Sequence, residues 1–301
     1  MRTDTERVYH ERILRALVCI QERLDEELPL EELARVACFS PYHFHRIFRG
    51  MVGESVKEHV RRLRLERAAH RLKFTDLAVT SIAFDAGYEA HESFTRAFKE
   101  MFGEPPSSFR EAQRAIPCPE APSRVHYQAG ASLKKFQSVL MEGDSMQVRI
   151  ERIQPMRLAF MRHMGPYHAV GATWGRFMAW AGARGLFGPP ATVLGVVHDD
   201  PEVTPPEKVR YDTCLAVDAR FQAEGEVGVQ DLGAGDYAVA THRGPYEKLG
   251  ETYARLAGEW LPRSSREAAD LPCIEIYRNS PMNARPEDLV TDIYMPLKEK
   301  R

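Results

Sequence analysis

Hydrogen-bonding side chains recur along the first third of the chain with the spacing of one helix face. Positions i, i+3, i+4 and i+7 of one segment carry Tyr42, His45, Arg46 and Arg49. A second row follows fifty positions later, with Glu92, Thr95, Arg96 and Lys99. A guanidinium group can contact guanine O6 and N7 together, and hydroxyl or imidazole groups can bind phosphate or base edges. Both rows therefore have the chemistry of a surface that reads DNA.

Each row lies opposite an apolar stripe, so each segment is predicted to be a packed amphipathic helix. The two segments share the frame F-x-R-x-F-x-x-x-x-G, which begins at Phe44 and at Phe94. A short helix with a small-residue face precedes each segment, with Ala34-x-x-Ala37 in one copy and Ala83-x-x-Ala86 in the other. A short helix, a tight turn and a second helix with a polar row make a helix-turn-helix. The chain is thus predicted to contain two.

A long helix is predicted between the two units, from Ser55 to about Phe74, with many arginines on its outer side. About twenty residues at a rise of about 1.5 Å span roughly 30 Å, close to the roughly 34 Å between major-groove faces on one side of B-DNA. We expect Lys57, Arg61 and Arg62 on this helix to bind phosphate, which gives affinity without sequence choice. A solvated polar face is the ordinary interpretation of one such helix, but two copies in phase across this bridge favour DNA binding.

Residues from about 10 to 110 resemble the DNA-binding domain of AraC-family transcription regulators. The resemblance rests on the doubled helix-turn-helix, the bridging helix, Gly87-Tyr88 and the closing Pro105-Pro-Ser-Ser-Phe-Arg110. It implies that the second helix of each unit enters the major groove, with double-stranded DNA and RNA polymerase as partners. The DNA-binding residues that it implies are Ser40, Tyr42, His45, Arg46, Lys57, Arg61, His91, Glu92, Ser93, Thr95 and Arg96. Glu92 departs from a cationic reader and would have to accept a hydrogen bond from cytosine N4 or face away from phosphate.

Composition separates this chain from several functional classes. Its 301 residues suffice for two domains with their own cores. The five cysteines are scattered without C-x-x-C spacing, which argues against a disulfide or zinc framework, and we expect neither a metal nor a cofactor. A net charge of -2 does not itself favour a nucleic-acid partner, but basic residues concentrate around the first row and the bridging helix. Because we find no membrane-length apolar run and no signal peptide, we expect a cytoplasmic, nucleoid-associated protein without a membrane partner.

A proline-rich segment divides the chain. Ile116-Pro-Cys-Pro-Glu-Ala-Pro122 breaks helical periodicity three times and predicts a semi-rigid linker. We therefore expect a multidomain protein, with an all-α double helix-turn-helix domain over residues 1–113, a linker over 114–145 and a second domain over 146–301.

The second domain contains its own internal repeat, seventy-nine positions apart. Arg157-Leu-Ala-Phe-Met-Arg-His-Met-Gly-Pro-Tyr167 matches Asp236-Tyr-Ala-Val-Ala-Thr-His-Arg-Gly-Pro-Tyr246. Each copy is a strand that runs into Gly-Pro-Tyr and then a helix, and two further strands follow. Two β-β-α-β-β halves predict an α+β domain with a pseudo-twofold axis. A groove between the halves is the natural place for a ligand.

One strand of this domain could contribute a charged group to that groove. Ile274-Glu-Ile-Tyr277 places an acid and a tyrosine on one face of a strand. A solvent-exposed face is the commoner interpretation of such alternation, but Glu275 lies in an apolar, cysteine-containing strand that is predicted to be central. A carboxylate beside aromatic rings suits a lipophilic cation, through charge pairing and cation–π contact.

Residues from about 146 to 297 resemble the GyrI-like effector-binding domain. The resemblance rests on both Gly-Pro-Tyr motifs, on Glu275-Ile-Tyr277 and on Asp292-Ile-Tyr-Met-Pro296. It implies that the pocket carboxylate is Glu275. The aromatic residues that it implies around this carboxylate are Tyr277, Trp174, Tyr211, Trp180 and Tyr253.

The sequence leaves three functions open. The leading hypothesis is a transcription regulator, not an enzyme, in which a small-molecule effector in the second domain changes how the first meets DNA. The resemblance to the GyrI-like domain also implies an alternative, in which the second domain hydrolyses strained electrophilic molecules with Glu275 as a general base. No Ser-His-Asp, Cys-His, phosphate-loop or metal arrangement in the sequence supports chemistry elsewhere. A third hypothesis is a module that docks on another protein.

Overall fold

The computed structural model describes residues 4–112, 115–130, 132–139, 146–188 and 192–299. The chain divides into two units by the contacts within each. We call Arg7–Met141 the helical unit, and Met1–Glu6 with Glu142–Arg301 the sheet unit. Each unit has its own hydrophobic core.

Seven helices precede residue 112 in the described chain. They are α1 (Asp4–Glu22), α2 (Leu30–Val36), α3 (Pro41–Val52), α4 (Val56–Phe74), α5 (Val79–Asp85), α6 (His91–Phe102) and α7 (Pro106–Glu111). The pairs α2–α3 and α5–α6 are the two predicted helix-turn-helix units, and α4 is the predicted bridge. The all-α, helix-turn-helix character of this part is therefore confirmed.

Local sequence sets the ends of these helices. Pro41 occupies the first turn of α3, where its missing N–H costs no hydrogen bond. Helix α4 begins with a capping box, in which the side chains of Ser55 and Glu58 each accept a hydrogen bond from the other's backbone N–H. Gly53 and Gly103 adopt left-handed backbone angles after α3 and α6, with φ of 84° and 82°. Each copy of the repeated frame thus ends at a glycine that stops its helix.

The predicted apolar stripe of α6 is buried. Phe94 and Phe98 are fully buried, and their ring centroids lie 5.6 Å apart. Phe109 of α7 packs against both Phe98 and Phe102. Each such aromatic pair contributes roughly 0.5–1.5 kcal/mol beyond its area burial. The stripe therefore holds α6 in place and leaves its polar row on the opposite side.

The segment predicted as a linker contacts helices of its own unit. Its described residues, 115–130 and 132–139, are here called the strap. The carbonyl oxygen of Val125 accepts a hydrogen bond from Arg62 at 2.9 Å, and the N–H of Tyr127 donates to Glu66 at 2.7 Å. A proline-broken chain without periodicity makes few hydrogen bonds to itself, so its polar backbone groups pair with side chains of the helices instead.

A largely buried ion network lies beside the strap. The guanidinium of Arg62 joins Glu54 and Glu66, with N–O distances of 2.5 and 2.7 Å. His59 lies 2.7 Å from Glu54, and His126 of the strap lies 3.1 Å from Glu66. Burial alone would raise the pKa of Glu54, but hydrogen bonds from His59 and Arg62 lower it to about 2. The ionised carboxylate therefore stabilises the helical unit at neutral pH.

The sheet unit contains one eight-stranded antiparallel sheet in the described chain. Its strands are β1 (Val148–Ile153), β2 (Met156–Met164), β3 (Val193–Val197), β4 (Arg210–Val217), β5 (Gly228–Leu232), β6 (Gly235–Arg243), β7 (Cys273–Tyr277) and β8 (Val290–Leu297). Its helices are α8 (Val170–Ala183), α9 (Leu249–Arg255) and α10 (Leu261–Arg263), and a π-helical turn over Leu256–Trp260 joins the last two. The order β-β-α-β-β occurs twice, as the repeat predicts, and the α+β fold class is confirmed.

The two repeats exchange their first strands. The order across the sheet is β1-β6-β8-β7-β3-β4-β2-β5. Strand β1 therefore pairs with β6 of the second repeat, and β5 pairs with β2 of the first repeat, at opposite ends of the sheet. The third strand of each repeat, β3 or β7, pairs with its equivalent at the centre. The exchange makes each repeat incomplete without the other.

The pseudo-twofold axis passes through one residue pair at the centre of the sheet. Gly195 of β3 pairs with Glu275 of β7. The two are equivalent because each is the third residue of its strand, where the spacing of the repeats has grown from seventy-nine to eighty positions. Residues directly opposed in an antiparallel pair point to the same face, so Glu275 projects beside the axis. The other face of the sheet carries an apolar core that includes Leu194, Val239 and Ile274.

We predict that Glu54→Gln destabilises the helical unit by about 3 kcal/mol at neutral pH, because Arg62 and His59 lose their ionised partner. The pKa of Glu54 lies below its ordinary value of 4.5, so its contribution is complete above pH 4.5 and is lost as the pH falls towards about 2. Thermal unfolding followed by circular dichroism should show that the difference in Tm between wild type and variant becomes smaller as the pH falls from 4.5 towards about 2. Glu89→Gln, at an exposed position, is the control. A difference in Tm that stays constant throughout the acid range would contradict the lowered pKa assigned to Glu54.

Candidate functional site

Glu275 is the centre of the candidate ligand site. It is 0% exposed and lies on the central strand β7. Three tyrosine hydroxyls donate to its carboxylate: Tyr167 at 3.1 and 3.2 Å, Tyr253 at 3.0 Å and Tyr277 at 2.5 Å. Hydrogen bonds to an ionised group are the stronger class in proteins. These bonds offset part of the free energy that burial of the charge costs.

Aromatic rings surround this carboxylate. Tyr211 and Tyr277 are hydrogen-bonded through their hydroxyls. The ring of Trp174 is close to perpendicular to that of Tyr277 at a centroid distance of 5.6 Å, and steeply tilted to that of Tyr211 at 6.4 Å. Tyr246 is also close to perpendicular to Tyr277, at 5.5 Å. The group thus places both ring faces and hydroxyls around one carboxylate.

Equivalent positions of the two repeats supply different sides of the site. Tyr167 and Tyr246 end the two Gly-Pro-Tyr motifs, and Trp174 and Tyr253 lie on α8 and α9, again seventy-nine positions apart. Tyr167 and Tyr246 were not among the residues that the sequence implied for the pocket. The signal that could have identified them was the motif itself, because it recurs in both halves with the tyrosine in the same place.

The structure brings together most of the implied aromatic residues, but not Trp180. Tyr277, Trp174, Tyr211 and Tyr253 all lie in the group around Glu275. Trp180 instead stacks on Phe177 and lies edge-on to Phe221. Trp174 and Trp180 are six positions apart on α8, a rotation of about 240° around the helix axis. Both indole rings contact Phe177, but only that of Trp174 also reaches the tyrosines around Glu275.

Burial favours the protonated form of three tyrosines of the site. It raises the pKa of both Tyr277 and Tyr211 well above the ordinary value, and the charge of Glu275 raises each further. The pKa of Tyr246 is raised by the same two causes. A neutral phenol can donate a hydrogen bond, which is what a carboxylate requires. These side chains therefore remain hydroxyl donors at physiological pH.

Gly195 makes room for this arrangement. A Cβ atom at position 195 would lie 1.7 Å from the hydroxyl oxygen of Tyr211, far inside van der Waals contact. The hydroxyl of Tyr211 reaches Tyr277 through the space that a side chain would fill. The glycine opposite Glu275 is therefore a requirement of the site and not of the strand.

The polar row of α6 is an exposed candidate surface for DNA. His91, Glu92 and Arg96 are exposed, and Ser93 and Thr95 are half-buried. The hydroxyl of Thr95 lies 3.4 Å from the ring of His91, one helical turn away. The predicted residues of this copy thus lie together on one helix, with their polar groups accessible.

The equivalent row of α3 is less accessible. Ser40 and Tyr42 are half-buried, whereas His45 and Arg46 are 0% and 4% exposed. The guanidinium of Arg46 lies over the Tyr42 ring, 4.5 Å from its centroid, and this cation–π contact draws the side chain along its own helix. The expectation of an outward row thus holds for α6 and differs from the structure at His45 and Arg46.

The basic residues of α4 divide between exposed and buried positions. Lys57 and Arg61 are exposed, as expected for phosphate contacts. Arg61 lies 3.3 Å from Glu100 in an exposed ion pair, which contributes only about 0–1 kcal/mol and can yield to a phosphate. Arg62 was also predicted to bind phosphate, and this prediction is wrong, because Arg62 is buried and bonded to Glu54.

In the part of the chain that the structure describes, no three His, Cys, Asp or Glu side chains are grouped so that they could hold a metal ion. None of the helices in those same residues is long and apolar enough to cross a bilayer.

The fold and the two surfaces define a class of protein: paired helix-turn-helix units joined in one chain to an α+β domain with a buried, aromatic-lined carboxylate. The chain belongs to the GyrI-like small molecule binding domain family, whose model matches residues 146–298, and carries an AraC-type helix-turn-helix domain over residues 33–112.

Two relatives are similar to about a third of the chain. The chain is 38% identical over 102 residues to the uncharacterized HTH-type transcriptional regulator YbfP of Bacillus subtilis (strain 168). This alignment covers 34% of this chain and 35% of YbfP. The chain is also 30% identical over 102 residues to the regulatory protein SoxS of Escherichia coli (strain K12). That alignment covers 34% of this chain and 95% of SoxS. The match thus spans about a third of YbfP and nearly all of SoxS.

One solved structure is similar to about half of the chain. The crystal structure of the EcmrR C-terminal domain aligns with 52% of this chain and 99% of that chain, at 18% identity and a TM-score of 0.43.

We predict that Gly195→Ala displaces the Tyr211 hydroxyl and destabilises the sheet unit by about 1–3 kcal/mol, as overpacking does. Gly175→Ala on α8 is the matched control, because a Cβ atom there meets nothing within 4 Å. It should stabilise the unit by up to about 1 kcal/mol. Denaturant unfolding followed by tryptophan fluorescence measures both changes. Equal stability of Gly195→Ala and wild type would show that Tyr211 does not occupy this space.

Proposed function

We propose that this chain is a one-component transcription regulator. A lipophilic organic cation binds at Glu275 and changes how the helical unit binds double-stranded DNA. RNA polymerase is the second macromolecular partner in this proposal. The observation that carries it is the buried carboxylate of Glu275 within a group of aromatic side chains.

The chemistry of the site favours a cation with a large apolar surface. A bound cation would pair with Glu275 where the effective dielectric is low and the attraction is stronger than in water. The rings of Trp174 and Tyr246 offer cation–π contacts, which contribute about 0.5–2 kcal/mol each. A small, strongly hydrated ion gives up more hydration free energy when it enters the site than a cation whose charge is shielded by rings. Lipophilic cations should therefore bind in preference to metal ions and simple amines.

Ligand entry should change the shape of the sheet unit. Tyrosine hydroxyls occupy the space beside the carboxylate, so a bulky ligand enters only if those rings turn aside. Tyr167 directly follows a Gly-Pro turn, and Tyr253 lies on α9. Displacement of the two rings would therefore act on a turn and on a helix. A ligand that favours the displaced arrangement shifts the population of conformations.

The exposed row of α6 supports the DNA-binding part of the proposal. Arg96 is exposed and can make a bidentate contact with guanine. Lys57 and Arg61 of α4 are exposed and can bind phosphate. The names of the relatives YbfP and SoxS, a transcriptional regulator and a regulatory protein, are consistent with the same partner.

Hydrolysis is the competing function at the same residue, with Glu275 as a general base. The observation that favours it is a buried carboxylate within hydrogen-bond distance of three hydroxyls. Incubation of the full chain with a strained epoxide such as styrene oxide, followed by mass spectrometry, separates the two functions. Product that disappears in Glu275→Gln favours the enzyme, and saturable cation binding without product favours the regulator. A protein-docking module predicts neither result.

We predict that Arg96→Ala weakens binding to a duplex selected from random DNA by about 1–3 kcal/mol and relaxes the base preference at one position. Lys57→Ala should instead weaken binding to all sequences alike. It should also reduce the slope of log K against log salt concentration by about one. Gel shifts of the full chain over a salt series measure both. Arg15→Ala, at an exposed position on α1, is the control. Unchanged affinity and base preference in Arg96→Ala would remove α6 from the DNA interface.

We predict that tetraphenylphosphonium binds the full chain saturably and that Glu275→Gln weakens this binding at least roughly tenfold, because the variant keeps the side-chain shape and loses the charge. Isothermal titration calorimetry measures the affinity. Triphenylphosphine oxide is the neutral ligand control, and Glu287→Gln, at an exposed position, is the protein control. Equal binding of the cation and the neutral compound would contradict the role assigned to Glu275.

A further inference from the structure

Two buried histidines lie at equivalent positions next to the aromatic group of the sheet unit. His163 lies near the end of β2 and His242 near the end of β6, seventy-nine positions apart. Both side chains are buried. Neither histidine was assigned a role by the sequence, although each stands three positions before the proline of its Gly-Pro-Tyr motif.

Each ring makes the same two contacts within its repeat. Nε2 of His163 lies 3.1 Å from the carbonyl oxygen of Pro166, and Nδ1 lies 3.1 Å from the hydroxyl of Thr173. The second repeat has the same contacts, at 3.1 Å and 2.8 Å, between His242, Pro245 and Thr252. Each imidazole therefore joins the Gly-Pro-Tyr turn to the helix that follows it.

The chemistry of the partners sets the hydrogen-bond pattern. A carbonyl oxygen only accepts, so Nε2 of each histidine carries a proton and donates it to the proline carbonyl. In the neutral ring Nδ1 then accepts a hydrogen bond from the threonine hydroxyl. Each histidine thus acts as a clamp with two directed bonds, one to the turn and one to the helix.

Each clamped residue stands directly before an aromatic residue of the pocket. The residues that follow the two prolines and the two threonines are Tyr167, Tyr246, Trp174 and Tyr253. One clamp therefore holds the turn and the helix that carry the first repeat's pair of rings, and the other clamp does so for the second repeat. The separation between the rings of each pair depends on the clamp behind them.

The two repeats have diverged around the pocket but agree at the clamps. Equivalent positions carry Gly195 and Glu275 at the axis, and Trp174 and Tyr253 on the two helices. The histidine, the threonine and the Gly-Pro-Tyr sequence are the same in both copies. If the clamps served only folding, one of them could have been lost when the two repeats diverged at these other positions. Retention of both is consistent with a requirement on both sides of the ligand.

We propose that His163 and His242 are positioning residues of the effector site. They fix the spacing of the turn and the helix that carry the aromatic residues of each repeat, while the rings can still rotate, and so make the site selective for rigid cations. This inference rests on the proposed binding of a lipophilic cation at Glu275. A rigid cation such as tetraphenylphosphonium needs a gap of fixed width, whereas a flexible cation such as tetrabutylammonium can adapt its chains. Loss of a clamp therefore costs the rigid ligand more.

Thr252→Val tests this proposal, because it removes the hydroxyl that His242 binds and keeps the shape of the side chain. We expect the full-length variant to bind tetraphenylphosphonium roughly tenfold more weakly and tetrabutylammonium less than about threefold more weakly. Thr252→Ser retains a hydroxyl and should bind tetraphenylphosphonium within about twofold of wild type. Thr173→Val and Thr173→Ser repeat the test at His163. Calorimetry gives the affinities, and thermal unfolding gives the Tm of each variant.

Thr241→Val is the matched control, because its hydroxyl bonds Asp292 of β8 and not a clamp. We expect a lower Tm and an unchanged ratio of the two affinities. If Thr252→Val and Thr173→Val also lower the Tm and leave the ratio of the two affinities unchanged, the clamps are only structural. That result would overturn this inference but not the proposed function. If wild type binds neither cation, the proposed function fails and the inference falls with it.

Discussion

The burial of one carboxylate constrains the whole sheet unit. An ionised group that leaves water loses several kcal/mol of hydration, and hydrogen bonds in fixed places must replace it. Tyrosine hydroxyls donate to Glu275 from the turn of the first repeat, from α9 of the second and from β7 itself. Because the donors come from both repeats, neither repeat could hold the charge alone. The pairing of the repeats and the site therefore depend on the same contacts.

The pseudo-twofold axis explains why a symmetric scaffold carries an asymmetric site. Identical repeats would place the same side chain at both positions of a residue pair that lies on the axis, and here the two positions differ. Glu275 occupies one of them, and Gly195 at the other leaves room for the Tyr211 hydroxyl. Away from the axis the copies remain alike, since Asp212 and Asp292 are both buried and both paired with arginine. Divergence at the axis thus creates the site while the outer parts keep the fold.

The sequence predicted the elements of each unit better than the way they meet. Periodicity and repeats are local along the chain, and they located the helix-turn-helix pairs, the bridging helix and the two halves of the sheet. Strand partners are not local, so nothing within β1 predicts its pairing with β6. Arg62 was placed outward by helix phase alone, but the strap covers that side of α4. Tyr167 was missed because the direction of a turn depends on its tertiary contacts, here the clamp at His163.

A ligand regulates only if its binding favours one arrangement of the protein by enough free energy. A shift of a two-state equilibrium from 1:99 to 99:1 takes about 5.5 kcal/mol of differential binding. A hydrogen bond to a charged group contributes about 1.5–3 kcal/mol, so the three tyrosine bonds to Glu275 together amount to about 5–9 kcal/mol. A cation that replaces those bonds therefore exchanges free energy on the scale that switching requires. A cation that left the tyrosines in place would bind without changing the protein, however high its affinity. In the proposed regulator, the displacement of the hydroxyls, more than the strength of binding, decides whether occupancy of the site becomes a signal.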